Sequence, residues 1–197
     1  MKVAILGSGS WATALAKIIL SNVEEINWYI RKQETIDEFI ENRRNPNHLE
    51  WAYFDTTKIY FSTNINEVID LSDTIVLAIP SPYVKACLDE ISIDISHKKI
   101  ISAVKGMIPD ENILITDYLH DHYGIPEEQL GIIAGPCHAE EIALERLSYL
   151  TIGCTDINQA KTWSELFANK YVHITPSNDV VGLEYSSVMK NIYAIAA

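Results

Sequence analysis

Val3-Ala4-Ile5-Leu6-Gly7-Ser8-Gly9-Ser10-Trp11-Ala12 decides the fold of this 197-residue chain. Its first four residues are an unbroken apolar run, as expected of a strand buried on both faces of a parallel sheet. A glycine-rich turn follows, and then the helical spacing of Trp11 to Leu20. In that setting the GxGxxG/A pattern has a physical meaning. The first glycine allows the tight turn, the second lets a pyrophosphate approach the backbone, and the small third residue lets helix and strand pack closely. The helix N-terminus adds free N–H groups and the positive end of its dipole. A tight strand-to-helix turn also favours glycine for its own sake, so the spacing takes its weight from its position. Gly7, Gly9 and Ala12 are therefore candidate cofactor-binding residues.

Working outward, short apolar runs recur at 28–30, 59–61, 74–79, 99–104, 132–134, 150–154 and 171–174. Between them lie segments with helical spacing at 33–42, 65–71, 83–91, 111–123, 139–146 and 157–168, and a last one over 182–197. Strands alternating with helices predict right-handed crossovers, hence an α/β fold: a Rossmann-like, doubly wound, mainly parallel sheet with helices on both faces. The least regular stretch, Asn45 to Lys58, begins with the helix-breaking Asn45-Pro46-Asn47 and is long enough to expect a function of it. The final helical segment ends on apolar residues with no glycine cap and no terminal Lys or Arg, as expected of a chain cut within a helix.

Composition narrows the function classes. Apolar residues make up 48% and charged residues 21% of the chain, so a disordered or collagen-like protein is excluded. A net charge of -12 argues against nucleic-acid binding and against an anionic membrane surface. Any anionic ligand must then be held by local cations and backbone N–H groups. Cys87, Cys137 and Cys154 lack CxxC spacing, so neither a disulfide framework nor a zinc site is expected, and no metal is. The N-terminal apolar run is too short for a secretory signal or a membrane span, which makes the cytoplasm the expected compartment.

The cations stand out against this acidic background. The strand at 27–30 ends in Arg31-Lys32, where dinucleotide sites usually carry an acid for the ribose 2′-OH. A guanidinium there can pair with a 2′-phosphate, so NADP is tolerated alongside NAD; a solvated basic pair starting a helix is the plainer reading. Lys105 closes a strand, at the edge where open α/β sheets bind ligands. Lys190 lies among apolar neighbours, where it either snorkels to solvent or is partly desolvated and suited to proton transfer. Gly135-Pro136-Cys137-His138 joins a strand to a helix, but adjacent helical residues do not face each other, which disfavours a Cys–His pair. Cys87 and Cys154 read as core, the acids as solvated faces, and Trp28, Trp51 and Trp163 as packing residues.

Together, Gly7–Ala16, Val104-Lys105-Gly106, Gly135-Pro136-Cys137-His138-Ala139-Glu140-Glu141 and Glu184–Ile195 resemble the bacterial NAD(P)-dependent glycerol-3-phosphate dehydrogenases, in the right order along the whole chain. The resemblance implies reversible reduction of dihydroxyacetone phosphate to sn-glycerol 3-phosphate for glycerophospholipid synthesis. It further implies that Ser10, Trp11, Arg31 and Ala139 contact the cofactor and that Lys105 meets both cofactor and substrate. Gly135 and Cys137 would hold substrate, and Lys190 would bind substrate and act as the general acid/base, with Lys105 stabilising the developing charge. Ala12 stands where the family usually has Gly, and Cys137 where it usually has Ser, a weaker hydrogen-bonding group. The family continues into an all-helical substrate domain. The expected division is thus an NAD(P)-binding domain over 1–180, with 181–197 as the first helix of a truncated second domain and little turnover by this chain alone. A homodimer of a longer protein is compatible with this reading. The alternatives are a non-catalytic nucleotide-sensing module and a related dehydrogenase of another hydroxy substrate.

Overall fold

The computed structural model describes residues 1–109 and 111–196, the side chains of Asn191 and Ala194 excepted. In chain order the elements are β1 (Val3–Leu6), α1 (Ser10–Ile19), β2 (Ile26–Tyr29), α2 (Gln33–Asn42), β3 (Ile59–Ser62), α3 (Ile65–Asp70), β4 (Thr74–Leu77), α4 (Ser81–Leu88) and β5 (Lys99–Ser102). There follow α5 (Ile115–Tyr123), β6 (Leu130–Ala134), α6 (Ala139–Ala143), β7 (Ser148–Cys154), α7 (Ile157–Phe167), β8 (Val172–Ser177) and α8 (Val180–Ala196). The strands form one sheet in the order β3-β2-β1-β4-β5-β6-β7-β8. The first six in that order are parallel, and the order reverses between β1 and β4, the crevice where such sheets bind ligands.

The unbroken apolar runs find their reason in burial on both sides. Val3 and Ile5 of β1 point into one core with Val76 and Ile101, under α1, α2 and α7; Ala4 and Leu6 point into a second with Ile75, Leu77 and Ile100, under α3, α4 and α5. Fully burying one such aliphatic side chain is worth about 1.5–3 kcal/mol. Within the first core Trp28 packs edge-on against Phe39 and Phe54, at centroid distances of 5.3 and 5.8 Å, and stacks on Phe61 at 5.8 Å. That cluster ties β2, α2, β3 and the segment before β3 together.

The sheet is mainly parallel as expected, and four details refine or correct the expectation. β7 runs antiparallel to β6, because α6 stops after five residues and Glu145 takes a left-handed φ of 57°, too short a connection to carry the chain back across the sheet. The helix expected over 111–123 begins at Ile115, after a β-bridge between Ile108 and Ile113. Not every acid is solvated: Glu184 of α8 is fully buried, and its carboxylate accepts from Ile115 N–H at 2.7 Å, Thr116 N–H at 3.3 Å and the Thr116 hydroxyl at 2.6 Å. The residue before α5, Leu114, has no side chain able to cap a helix, so Glu184 supplies that cap from 68–69 positions downstream. Trp51 is not a packing residue, being 48% exposed, whereas Cys87, Cys154 and Trp163 are core as expected.

Candidate functional site

β1 ends on Gly7, whose φ of +117° a side chain would strain and whose place against the Ala78 carbonyl leaves no room for a Cβ. At Gly9 a Cβ would meet nothing within 4 Å, so the backbone there faces open space that a ligand can approach. Gly9 is the residue before α1 and carries no cap, so the N–H groups of Ser10, Trp11 and Ala12 have no intrahelical acceptor and point outward at the positive end of the helix. Ala12 is fully buried, as the close packing of helix and strand requires. The donor set therefore fits a diphosphate: glycine backbone that can be approached, orphan amides behind it, and an unpartnered buried Trp11 Nε1 alongside.

From this turn a cleft of about 380 Å³ runs over Gly9, Ser10, Trp11 and the Ala78–Pro82 segment after β4 to Ala103 and Lys105. A second, of about 230 Å³, is lined by Trp11, Lys105, Gly135, Pro136, Ser186, Ser187 and Lys190. The two share Trp11 and Lys105. There the Lys105 ammonium lies 4.6 Å from the centre of the Trp11 ring, within cation–π range. Lys105 keeps solvent-exposed surface, yet burial holds its ammonium below the usual lysine range and the charge of Lys190 pushes the same way. Lys190 is half-buried on α8.

Cys137 is 2% exposed, and burial raises its thiol against the opposing pull of Lys105 and Lys190. A neutral thiol is therefore what faces the two lysines, and no nucleophilic role is indicated. Gly135 has a packing reason of its own, since a Cβ would lie 2.5 Å from the Tyr149 carbonyl of the neighbouring strand. Ala139 opens α6 and is buried. Arg31 sits exposed just past β2 at the same edge of the sheet, its charge felt by Tyr29 and Cys87.

Of the residues singled out in the sequence, the structure thus brings Gly9, Ser10, Trp11, Lys105, Gly135 and Lys190 to the paired clefts and leaves Cys137 just beneath them. One neighbour escaped sequence reasoning. His48, from the irregular stretch after α2, has Nδ1 3.1 Å from Ser10 Oγ. Only the length of that stretch hinted at it.

The family described as "NAD-dependent glycerol-3-phosphate dehydrogenase N-terminus" matches residues 2–160. A glycerol-3-phosphate dehydrogenase [NAD(P)+] of an Exiguobacterium species is 30% identical over 99% of this chain and 58% of its own length, and one of Streptococcus agalactiae is 31% identical over 100% and 58%. The chain therefore spans rather more than half the length of these relatives. A solved glycerol-3-phosphate dehydrogenase of Plasmodium falciparum superposes with a TM-score of 0.89 at 29% identity, over 100% of this chain and 57% of that one. By its sequence match over most of its length, the chain belongs to the family of NAD-dependent glycerol-3-phosphate dehydrogenase N-terminal regions.

Proposed function

We propose that this chain is the cofactor-binding part of an NAD(P)-dependent oxidoreductase that reversibly reduces dihydroxyacetone phosphate to sn-glycerol 3-phosphate, feeding glycerophospholipid synthesis. The observation that carries this reading is the Lys105 ammonium over Trp11, where the phosphate-turn cleft and the Lys190 cleft meet. Gly7, Gly9, Ser10, Trp11 and Ala12 form the diphosphate end of the dinucleotide site, with Arg31 towards a 2′-phosphate and Ala139 near the cofactor. Either NAD or NADP fits that arrangement.

When bound, the dinucleotide supplies a hydride to the carbonyl carbon, C2, of the substrate. Hydride addition turns that carbonyl into an alkoxide, so the reaction needs a proton and a stabilising charge at the oxygen. Lys190 gives the proton, passing from ammonium to amine, and takes it back in the reverse direction. Lys105, held over Trp11, stabilises the oxygen as charge develops and helps to hold the anionic phosphate. Gly135 and Cys137 shape the floor of the substrate side. Two cations converging on one cleft favour catalysis over a sensing module, which needs no proton donor.

Residues 1–180 are read as the NAD(P)-binding domain and 181–197 as the leading helix of a substrate domain, because the relatives run on well beyond the matched region. Dimerisation and a cytoplasmic setting belong to the same reading; among the described residues no helix is long and apolar enough to cross a membrane. The test is a titration of the chain with NADH and NADPH, read as energy transfer from Trp11, followed by single-turnover NADH oxidation with dihydroxyacetone phosphate at high protein concentration. Dinucleotide binding with slow turnover specific to that substrate is expected. Absence of binding, or equal turnover of an unphosphorylated ketone, would overturn the reading.

A further inference from the structure

The phosphate turn is anchored from behind at three successive carbonyls. Trp28 Nε1–H donates to Gly7 O at 2.7 Å, Asn45 Nδ2–H to Ser8 O at 2.9 Å, and Thr13 N–H and Oγ1–H to Gly9 O, each at 3.0 Å. Asn45 is fully buried and spends its other groups locally: Nδ2 also donates to Thr13 Oγ1 at 2.8 Å, and Oδ1 accepts from Asn47 N–H at 3.0 Å. With the Gly7, Ser8 and Gly9 carbonyls held from behind and the Gly7 N–H donating to Tyr29 O at 3.3 Å, the amides that open α1 are left to face the cleft. The polarity of an anion-binding loop thus depends on side chains that never touch the anion.

We propose that Asn45, assisted by Trp28, is a positioning residue for the dinucleotide: it fixes the carbonyl side of the Gly7–Gly9 turn and so aims the N–H groups of α1 at the diphosphate. This rests on the dinucleotide reading above and gives the irregular stretch after α2 a purpose, since Arg43, at a left-handed φ of 53°, ends α2 and Asn45 ties the chain back onto the glycines. Trp28 is held for its part by the rings of Phe39, Phe54 and Phe61, which leaves its indole N–H one direction to point.

The test measures NADH and ADP-ribose affinity, with thermal unfolding of each variant recorded beside it. Asn45→Ala should weaken both ligands alike by about tenfold, the scale of one lost hydrogen bond to a group that must be held. Asn45→Asp keeps the acceptor for Asn47 but puts an oxygen where the Ser8 carbonyl needs a donor, so it should not restore binding. Thr13→Val should weaken binding less, and its effect should largely vanish when combined with Asn45→Ala, as for residues of one network. Ser72→Ala is the control: it removes a buried hydroxyl that donates to Val68 O at 2.8 Å at the far edge of the sheet, so stability should fall while affinity stays within about twofold of wild type. Full affinity in Asn45→Ala, rescue by Asp, or equal weakening by Ser72→Ala would each overturn the proposal. A wild-type chain that binds neither ligand would overturn the dinucleotide reading as well.

Discussion

The phosphate turn and the lysine cleft share one edge of the sheet and are built on opposite terms. At the turn every backbone carbonyl has a partner, and Ala12, Trp28 and Asn45 behind it are fully buried. At the cleft, the charge of Lys190 registers at Lys105. Among the described residues the ion pairs use Lys17, Lys85 and Lys170, and none uses either of these two. The first region is made of satisfied groups, whereas the second holds unsatisfied charge. The difference teaches where stability and function separate: a loop that must only present amides can be stable before the ligand arrives, while the site proposed to attract a phosphate and give up a proton keeps cations that the fold alone does not neutralise.

The comparison breaks most sharply at Lys190. In Lys190→Ala, single-turnover reduction of dihydroxyacetone phosphate should fall by about 10²–10⁴-fold, the usual range for losing a general acid. NADH affinity should hardly change, because the turn is untouched; a parallel loss of affinity would mean that the two regions are not separable. Next is Gly7→Ala, which forces a side chain into a left-handed φ of +117° against the Ala78 carbonyl. It should cost about 1–3 kcal/mol in denaturant unfolding from backbone strain alone, with NADH binding lost because the turn must shift.

The mildest effect runs the other way. Burial places the Lys105 ammonium below its ordinary value of 10.5, so the unfolded chain binds that proton more tightly than the folded one. Stability therefore rises with pH between the depressed folded pKa and the unfolded one, and below the folded pKa the cost is fully present. Lys105→Met should raise the melting temperature near neutral pH, by an amount that shrinks as pH climbs towards 10.5, while weakening substrate binding. A stabilisation that does not fade with pH would assign the gain to packing instead of charge.

Much of this was legible in the residues themselves. The strand at Val3–Leu6 and the helix at Gln33–Asn42 lie where their patterns put them, because two-sided burial and amphipathic spacing are local signals. The glycine turn was legible because its spacing is local, Gly7 answering a close approach to the Ala78 carbonyl and Gly9 leaving the backbone open. What escaped was non-local. That β7 would reverse depends on where Glu145 ends a helix, and periodicity continues through that point. Glu184 looked like any other acid, since its partners are the amides of a helix that starts almost seventy positions earlier. The indole N–H of Trp28 and the amide of Asn45 likewise find their acceptors only once β2 and the segment before β3 have closed on the turn.

Glu184 has a consequence for how the molecule comes apart. Because the cap of α5 is carried by α8, the two helices cannot fray independently: loosening α8 uncovers the first amides of α5, and shedding those amides leaves a buried carboxylate without donors. The helix that bears Lys190 and the layer covering β5 and β6 should then open as one cooperative unit, with matched hydrogen-exchange rates at Ile115, Thr116 and the α8 backbone. The position of the proposed proton donor is in that sense set by the folding of a helix that never approaches the cleft.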